Sequence, residues 1–192
     1  MLVSNLDEIL SFNEEFVSSQ SYEPYRTDKF PSKKMVIVTC MDTRLTELLP
    51  RAMNFKNGDA KVIKTAGALI CEPYGSVMRS LLVAVTLLKA EEVFVVGHLD
   101  CGMIGLQAAP VLAELEKKGI SKERMENLRH SGVDIENWLH GCQDVESGVM
   151  ESVNLIRNHP LFPSHLMVHG LTINPVTGKL HLVFDGREAK NL

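Results

Sequence analysis

Apolar residues recur along this chain in two ways, as short continuous runs and as longer stretches with helical spacing. The run MVIVTC, residues 35–40, is typical of a strand covered on both faces. AKVIKTAG (60–67) and EVFVVGH (92–98) predict two more strands. Helical spacing predicts six helices, at residues 6–19, 43–55, 74–90, 108–118, 121–130 and 145–158, with Ser121 as a helix cap and Pro50 favouring a kink or break in the second.

The last part of the chain predicts a hairpin. HLMVHGLTI and KLHLVFDG flank NPVTG, a turn sequence with proline and glycine in suitable positions. Strands alternate with helices before this point, which is typical of parallel sheets. The sequence therefore predicts an α/β fold with a mainly parallel central sheet flanked by helices, to which the hairpin adds an antiparallel edge strand.

The composition excludes several classes of protein. The 192 residues, 45% hydrophobic and 23% charged, suit a single soluble domain over 1–192. A net charge of −4 argues against nucleic-acid binding. The apolar stretch SLLVAVTLL has about half the length of a membrane span. The N-terminus carries acids where a secretory signal carries lysine or arginine. We therefore expect a cytoplasmic protein with no membrane span.

The four cysteines lie far apart in the chain. In a reducing cytoplasm, such cysteines are more often buried, metal-bound or catalytic than disulfide-bonded. Cys71 and Cys142 have no potential ligand at useful spacing, so we expect both to be structural. Cys40 and Cys101 stand in more unusual surroundings.

Three residues predict a metal site. His98 and Cys101 follow one predicted strand at a spacing that lets both reach a single ion, and Cys40 ends another predicted strand. Imidazole and thiolate are favoured zinc ligands. Parallel sheets bind ligands beyond the carboxyl ends of their strands, so the three side chains share one crevice if the two strands are neighbours. Three ligands without a fourth describe a zinc ion with an open position, which is typical of a catalytic site.

An acid and an arginine follow Cys40 closely. Arg44 is placed to pair with Asp42, which would orient the carboxylate, keep it ionised and make it less available to the metal. So held, Asp42 could accept a hydrogen bond from a zinc-bound water. The structural alternative is that Asp42 caps a helix starting near Thr43, with Arg44 on its solvated face.

These motifs resemble those of a known family. CMDTR (40–44) and GHLDCGM (97–103) closely resemble the two zinc motifs of β-class carbonic anhydrases, with Thr43 in place of the usual serine. KVIKTAGALI is similar to the family's strand ending in Asn-Ala-Gly, with Thr65 replacing the asparagine. VHGLTINPVTGKL resembles the closing hairpin. The likeness spans about 34–184 and is strongest to the small prokaryotic members.

The resemblance implies a specific activity. By this resemblance, Cys40, His98 and Cys101 would bind zinc, and Asp42 and Arg44 would form a catalytic pair. The reaction would be the reversible hydration of CO2 to bicarbonate and a proton by zinc-bound hydroxide. Two thiolates neutralise the ion, so we expect more activity at alkaline pH. The family is typically built from dimers whose N-terminal helices embrace the partner, which makes residues 1–30 a candidate arm. A helix packed on its own domain is the alternative.

Several alternatives stay open at this point. Asp42 could itself close the zinc site in a resting form. Related folds with this zinc site hydrolyse CS2 or COS, so the substrate could differ. A non-catalytic zinc-binding regulatory protein is a third reading, although such a protein has no reason to retain Asp42 and Arg44.

Overall fold

A five-stranded sheet forms the centre of the molecule. The computed structural model describes residues 4–188, so the ends of the predicted domain at 1–3 and 189–192 lie outside the described residues. The sheet order is β2-β1-β3-β4-β5, in which β4 and β5 are antiparallel and the other neighbours are parallel. The predicted fold class is therefore confirmed. The strands are β1 (Met35–Cys40), β2 (Ala60–Thr65), β3 (Glu92–His98), β4 (Met167–Ile173) and β5 (Leu180–Phe184).

The helices confirm all six helical predictions and add one short helix. The added helix α6 has only four residues, too few to produce a hydrophobic period in the sequence. Pro50 lies inside the second helix, which ends two residues later with Phe55 N–H donating to the Pro50 carbonyl at 2.9 Å. The helices are α1 (Asn5–Ser18), α2 (Leu45–Ala52), α3 (Ser76–Thr86), α4 (Ala108–Lys117), α5 (Lys122–His130), α6 (Ile135–Trp138) and α7 (Val145–Arg157).

Strand β1 lies in the core and all six of its residues are buried. Val36 and Val38 pack against α3 and α7 on one face of the sheet, and Ile37 packs against α2 and β4 residues on the other. Removal of this apolar surface from water is the main contribution that stabilises the sheet. The prediction that MVIVTC is covered on both faces is confirmed.

The closing hairpin depends on its turn chemistry. The Asn174 side chain accepts hydrogen bonds from the backbone N–H groups of Val176 (2.8 Å) and Thr177 (3.1 Å). Gly178 has a φ of +74°, the left-handed conformation that glycine adopts without steric cost. These features reverse the chain after β4, so that β5 returns antiparallel along the edge of the sheet.

Helix α1 does not pack on its own domain. A capping box between Ser4 and Asp7 starts the helix, and none of its residues is buried. Most of its apolar side chains are exposed, with Leu6, Ile9 and Phe12 each more than 60% accessible, whereas Phe16 is half-buried. The alternative that this helix covers its own core is wrong. Among residues 4–188, no helix combines the length and apolar character needed to cross a membrane.

Candidate metal centre

The predicted ligands meet at the carboxyl ends of two neighbouring strands. β1 and β3 are parallel neighbours, with Thr39 opposite Val96. Cys40 ends β1, His98 ends β3, and Cys101 lies three residues further along. The adjacency on which the sequence argument depended is thus present, and all three side chains reach the same crevice.

The distances within this cluster suit a tetrahedral metal ion. The Cys40 and Cys101 Sγ atoms are 4.0 Å apart, and one ligand atom from each of the three residues lies within 4.8 Å of the others. Two sulfurs at zinc-bond length and tetrahedral angle would be separated by about 3.8 Å. The folded chain therefore presents its ligand atoms close to the spacing that zinc requires.

The hydrogen bonding of His98 leaves one ring nitrogen for a metal. Its Nδ1 donates to the Leu99 carbonyl at 2.8 Å, which places the lone pair on Nε2. Nε2 is buried and has no hydrogen-bond partner among the described residues. A buried acceptor without a partner is costly, and an ion at this point would satisfy it. The donor set therefore fits zinc.

Burial also affects the thiol of Cys101. Desolvation, reinforced by the neighbouring Cys40, raises its pKa to about 11, against the opposing effect of the Met103 backbone N–H. The thiol therefore holds its proton near neutral pH in the chain alone. A metal ion must displace that proton, because the thiolate is the form that binds.

Asp42 and Arg44 form a two-pronged ion pair beside the cluster. Arg44 Nε donates to Asp42 Oδ1 at 3.0 Å and Nη2 donates to Oδ2 at 2.8 Å. The hydrogen bond from Arg44 lowers the pKa of Asp42 to about 2 despite some desolvation. Asp42 Oδ2 lies 3.7 Å from His98 Nε2. An ionised, oriented carboxylate thus stands at the edge of the candidate metal position.

Asp42 also bonds to the backbone in the turn that leads into helix α2. The helix begins at Leu45 with Arg44 as its N-cap residue, whose own side chain makes no capping hydrogen bond. Asp42 Oδ1 accepts the backbone N–H of Arg44 at 2.8 Å, within this turn. This local bond adds to the side-chain pair and fixes the same carboxylate more firmly.

Sequence reasoning missed one residue that contacts this pair. Asp100 Oδ2 accepts a hydrogen bond from Arg44 Nη1 at 3.0 Å. The only signal in the sequence is an acid inside the GHLDCGM motif, next to a ligand. That signal does not identify the partner, because Arg44 is 56 residues away in the chain.

A tight turn after β2 packs against the metal loop, residues 98–103, which carries His98 and Cys101. Thr65 lies opposite Cys40 in the sheet, and its hydroxyl is buried with no partner among residues 4–188. Gly67 follows with a φ of +73°, and a Cβ at this position would stand 2.9 Å from the Met103 side chain. The turn therefore packs directly on the segment that carries Cys101.

An apolar cavity of about 450 Å³ adjoins this turn. Most of its surface is apolar, and its lining includes Thr65, Leu69, Ile70, Val77, Met103 and Leu106 together with Glu72 and His140. None of the three cluster residues lies in this lining.

The two remaining cysteines lie outside the cluster. Cys142 is buried beside Met103, as expected for a structural residue. Cys71 is exposed, so it is not part of the buried core, and it is not a member of the cluster. It follows the last buried residue of this segment, Ile70, and the chain turns outward there.

Known proteins share both the sequence and the fold. A family model described as carbonic anhydrase matches residues 35–180. "Putative carbonic anhydrase YvdA" of Bacillus subtilis (strain 168) is 55% identical over 186 residues, which cover 97% of this chain and 94% of that protein. A carbon disulfide hydrolase of Acidithiobacillus thiooxidans is 28% identical over 155 residues, covering 78% and 76%.

A solved structure extends the similarity to three dimensions. The β-carbonic anhydrase isoform I of Trichomonas vaginalis superimposes with a TM-score of 0.87 at 34% identity, covering 96% of this chain and all of that one. The residues that the family model matches, 35–180, include all three members of the cysteine and histidine cluster. The chain therefore belongs to the β-carbonic anhydrase family.

Proposed function

We propose that this protein catalyses the zinc-dependent, reversible hydration of CO2 to bicarbonate and a proton. The observation that carries the proposal is the cluster of Cys40, His98 and Cys101, in which His98 Nε2 is buried without a partner. Family membership supports the same reaction.

Cys40, His98 and Cys101 would hold the zinc ion through two sulfurs and one nitrogen. When bound, zinc supplies Lewis-acid chemistry, which makes a water molecule acidic enough to act as a nucleophile. Leu99 holds the His98 ring in the tautomer that this role requires, through the bond to Nδ1. Three protein ligands are the number found in catalytic zinc sites, which keep a further position for substrate or water.

Asp42 would orient the water that attacks CO2. Its carboxylate is ionised at any working pH, because the pKa is about 2, so it accepts hydrogen bonds and does not donate them. Arg44 occupies both of its oxygens from one side and so keeps the group at a fixed angle. In the described geometry the carboxylate pairs with Arg44, which supports a resting site that Asp42 does not close.

The first test is CO2 hydration by stopped flow on protein with quantified zinc, at about pH 8.5. We expect turnover at about one zinc per chain. The hydration rate should rise between about pH 6.5 and pH 9, because two thiolates weaken the acidifying effect of the metal on its bound water. Full zinc occupancy without turnover in that range would contradict the proposal and favour a regulatory zinc protein.

Replacing Arg44 tests the orienting pair. Arg44→Ala should lower kcat/KM by about 10-fold or more, because a misplaced orienting group has effects of this order. Arg51→Ala is a matched control, since Arg51 is exposed on helix α2 and pairs only weakly with Glu47 at 3.8 Å. Equal activity of the two variants would remove Arg44 from the mechanism.

The carbon disulfide hydrolase relative supports a second candidate substrate. The alternative is tested by assaying sulfide release from CS2 and COS beside CO2 hydration. Faster turnover of the sulfur compounds would identify them as the substrates and would leave the assignment of the metal site unchanged.

We also propose that the chain forms a homodimer, or an assembly of dimers, in the cytoplasm. Each chain would be a single domain whose residues 1–30 form an arm that contacts the partner. Support comes from the exposed apolar face of α1 and from the four free thiols, which suit a reducing compartment. Phe12→Asp should shift the sedimentation mass towards the monomer, whereas Glu14→Gln on the same helix should not. An unchanged mass for Phe12→Asp would contradict the arm.

A further inference from the structure

The guanidinium of Arg44 is held from two sides. On one side it donates from Nε and Nη2 to Asp42. On the other, Nη1 donates to Asp100 Oδ2 at 3.0 Å and Nη2 donates to the Asp100 carbonyl at 3.3 Å. Asp100 therefore offers both a side-chain and a main-chain acceptor to the same arginine.

The backbone of Asp100 is unusual in a way that serves this contact. Its φ is +58°, in the left-handed region that side chains rarely adopt and that aspartate tolerates better than most residues. It lies between His98 and Cys101, so the turn that brings both ligands to one point also directs Asp100 towards Arg44. The metal loop and the arginine are thereby connected.

The energetic value of the contact is small. The Asp100 side chain is 84% exposed, and exposed ion pairs contribute little to stability. Its position has a clearer consequence. Asp42 Oδ2 is 3.7 Å from His98 Nε2, so this carboxylate is close enough to compete for a metal held by the cluster. An arginine held by Asp42 alone could follow a movement of the carboxylate to the metal, whereas one also held by Asp100 resists it.

We propose that Asp100 is a positioning residue that anchors Arg44, so that Arg44 keeps Asp42 from closing the metal site. This inference rests on the proposed function, because an open metal site is needed only if the site binds substrate or water. It assigns Asp100 no contact with the substrate, because its action passes through Arg44 and then Asp42.

Anion binding to the cobalt-substituted protein tests this role without requiring turnover. The protein would be titrated with thiocyanate, and binding would be followed by the change in its visible spectrum. Thiocyanate needs the same coordination position that Asp42 would take. Asp100→Gly removes the side chain and keeps the left-handed backbone. We expect its dissociation constant for thiocyanate to rise about 1.5- to 3-fold, as follows if the loss of an exposed contact lowers the ratio of open to closed sites by about 5-fold from an open fraction between about 0.5 and 0.9.

Two further variants and one control separate positioning from a merely structural effect. Asp100→Asn keeps an acceptor and tolerates the same φ, so it should restore most of the affinity. In an Asp42→Ala background no carboxylate can close the site, so adding Asp100→Gly should change nothing. Glu47→Gln, which removes an exposed charge on α2, should match the unaltered protein.

The outcomes distinguish this inference from the proposed function. Unaltered affinity in Asp100→Gly, or an equal loss in the Asp42→Ala background, would overturn the role of Asp100. The expected pattern in cobalt protein, together with no CO2 hydration by the zinc form, would overturn the proposed function and leave the positioning role standing.

Discussion

Metal binding should contribute a large part of the thermal stability of this protein. Cys40 and Cys101 are 61 residues apart in sequence, yet their sulfurs lie 4.0 Å apart in the fold. His98 is 1% exposed and its Nε2 has no partner among the described residues. The complete ligand set therefore exists only in the folded chain, and an ion that binds it stabilises the folded state by mass action.

The size of this effect follows from the linkage relation. Free zinc at about 1,000 times its dissociation constant stabilises the folded state by about 4.1 kcal/mol. In a domain of this length, each kcal/mol changes Tm by roughly 2–4 °C. Removal of the metal should therefore lower Tm by roughly 8–16 °C. Weak binding by the unfolded chain, through the closely spaced His98 and Cys101, would place the value towards the lower end.

The assay is differential scanning calorimetry of zinc-loaded protein before and after dialysis against a chelator. Zinc added back should restore Tm with a stoichiometry of about one per chain. Cys101→Ser should lose the response, because it removes one ligand of the cluster. Cys71→Ser is the matched control, since Cys71 is a free, exposed thiol outside the cluster and should keep the full response.

Three results would refute this reasoning. A chelator-induced change in Tm of less than about 2 °C would mean that the cluster does not bind metal tightly in the folded state. A Cys101→Ser variant that responds like the unaltered protein would place the metal elsewhere. A loss of the response in Cys71→Ser would show that the ligand set is wrong.

Three further predictions concern single positions around the site. Because the pKa of Cys101 is raised to about 11, zinc binding at about pH 8 should release at least one proton per chain. The affinity for zinc should therefore increase as pH rises. Calorimetry in buffers of different ionisation enthalpy measures the number of protons released. Thr65→Val should stabilise the fold by about 1 kcal/mol in urea unfolding, since it removes a buried hydroxyl without a partner; a destabilised variant would reveal a bond to that hydroxyl. Gly148→Ala should cost about 1–3 kcal/mol in the same assay, because its Cβ would stand 2.8 Å from Leu69 and 2.9 Å from Cys142; an unchanged midpoint would show that helix α7 can shift.

Local sequence determined most of the elements and the chemical character of the site. The continuous apolar run of β1 and the helical spacing of α7 each report burial by neighbours, whatever those neighbours are. The turn chemistry at Asn174 and Gly178 is equally local, and the hairpin was predictable for that reason. Cysteine and histidine at strand ends indicated a metal, because few other roles need those side chains there.

Tertiary structure decided what lies next to what. Only the packing of β1 beside β3 brings Cys40 to within 4.0 Å of Cys101, and no local pattern specifies that distance. The contact between Asp100 and Arg44 joins residues 56 positions apart through a left-handed turn. The exposure of α1 is also a tertiary result, since its amphipathic pattern is the same whether it covers its own core or another surface. Periodicity records that a face is buried, whereas the identity of the partner depends on long-range packing that a single sequence does not encode in any short segment.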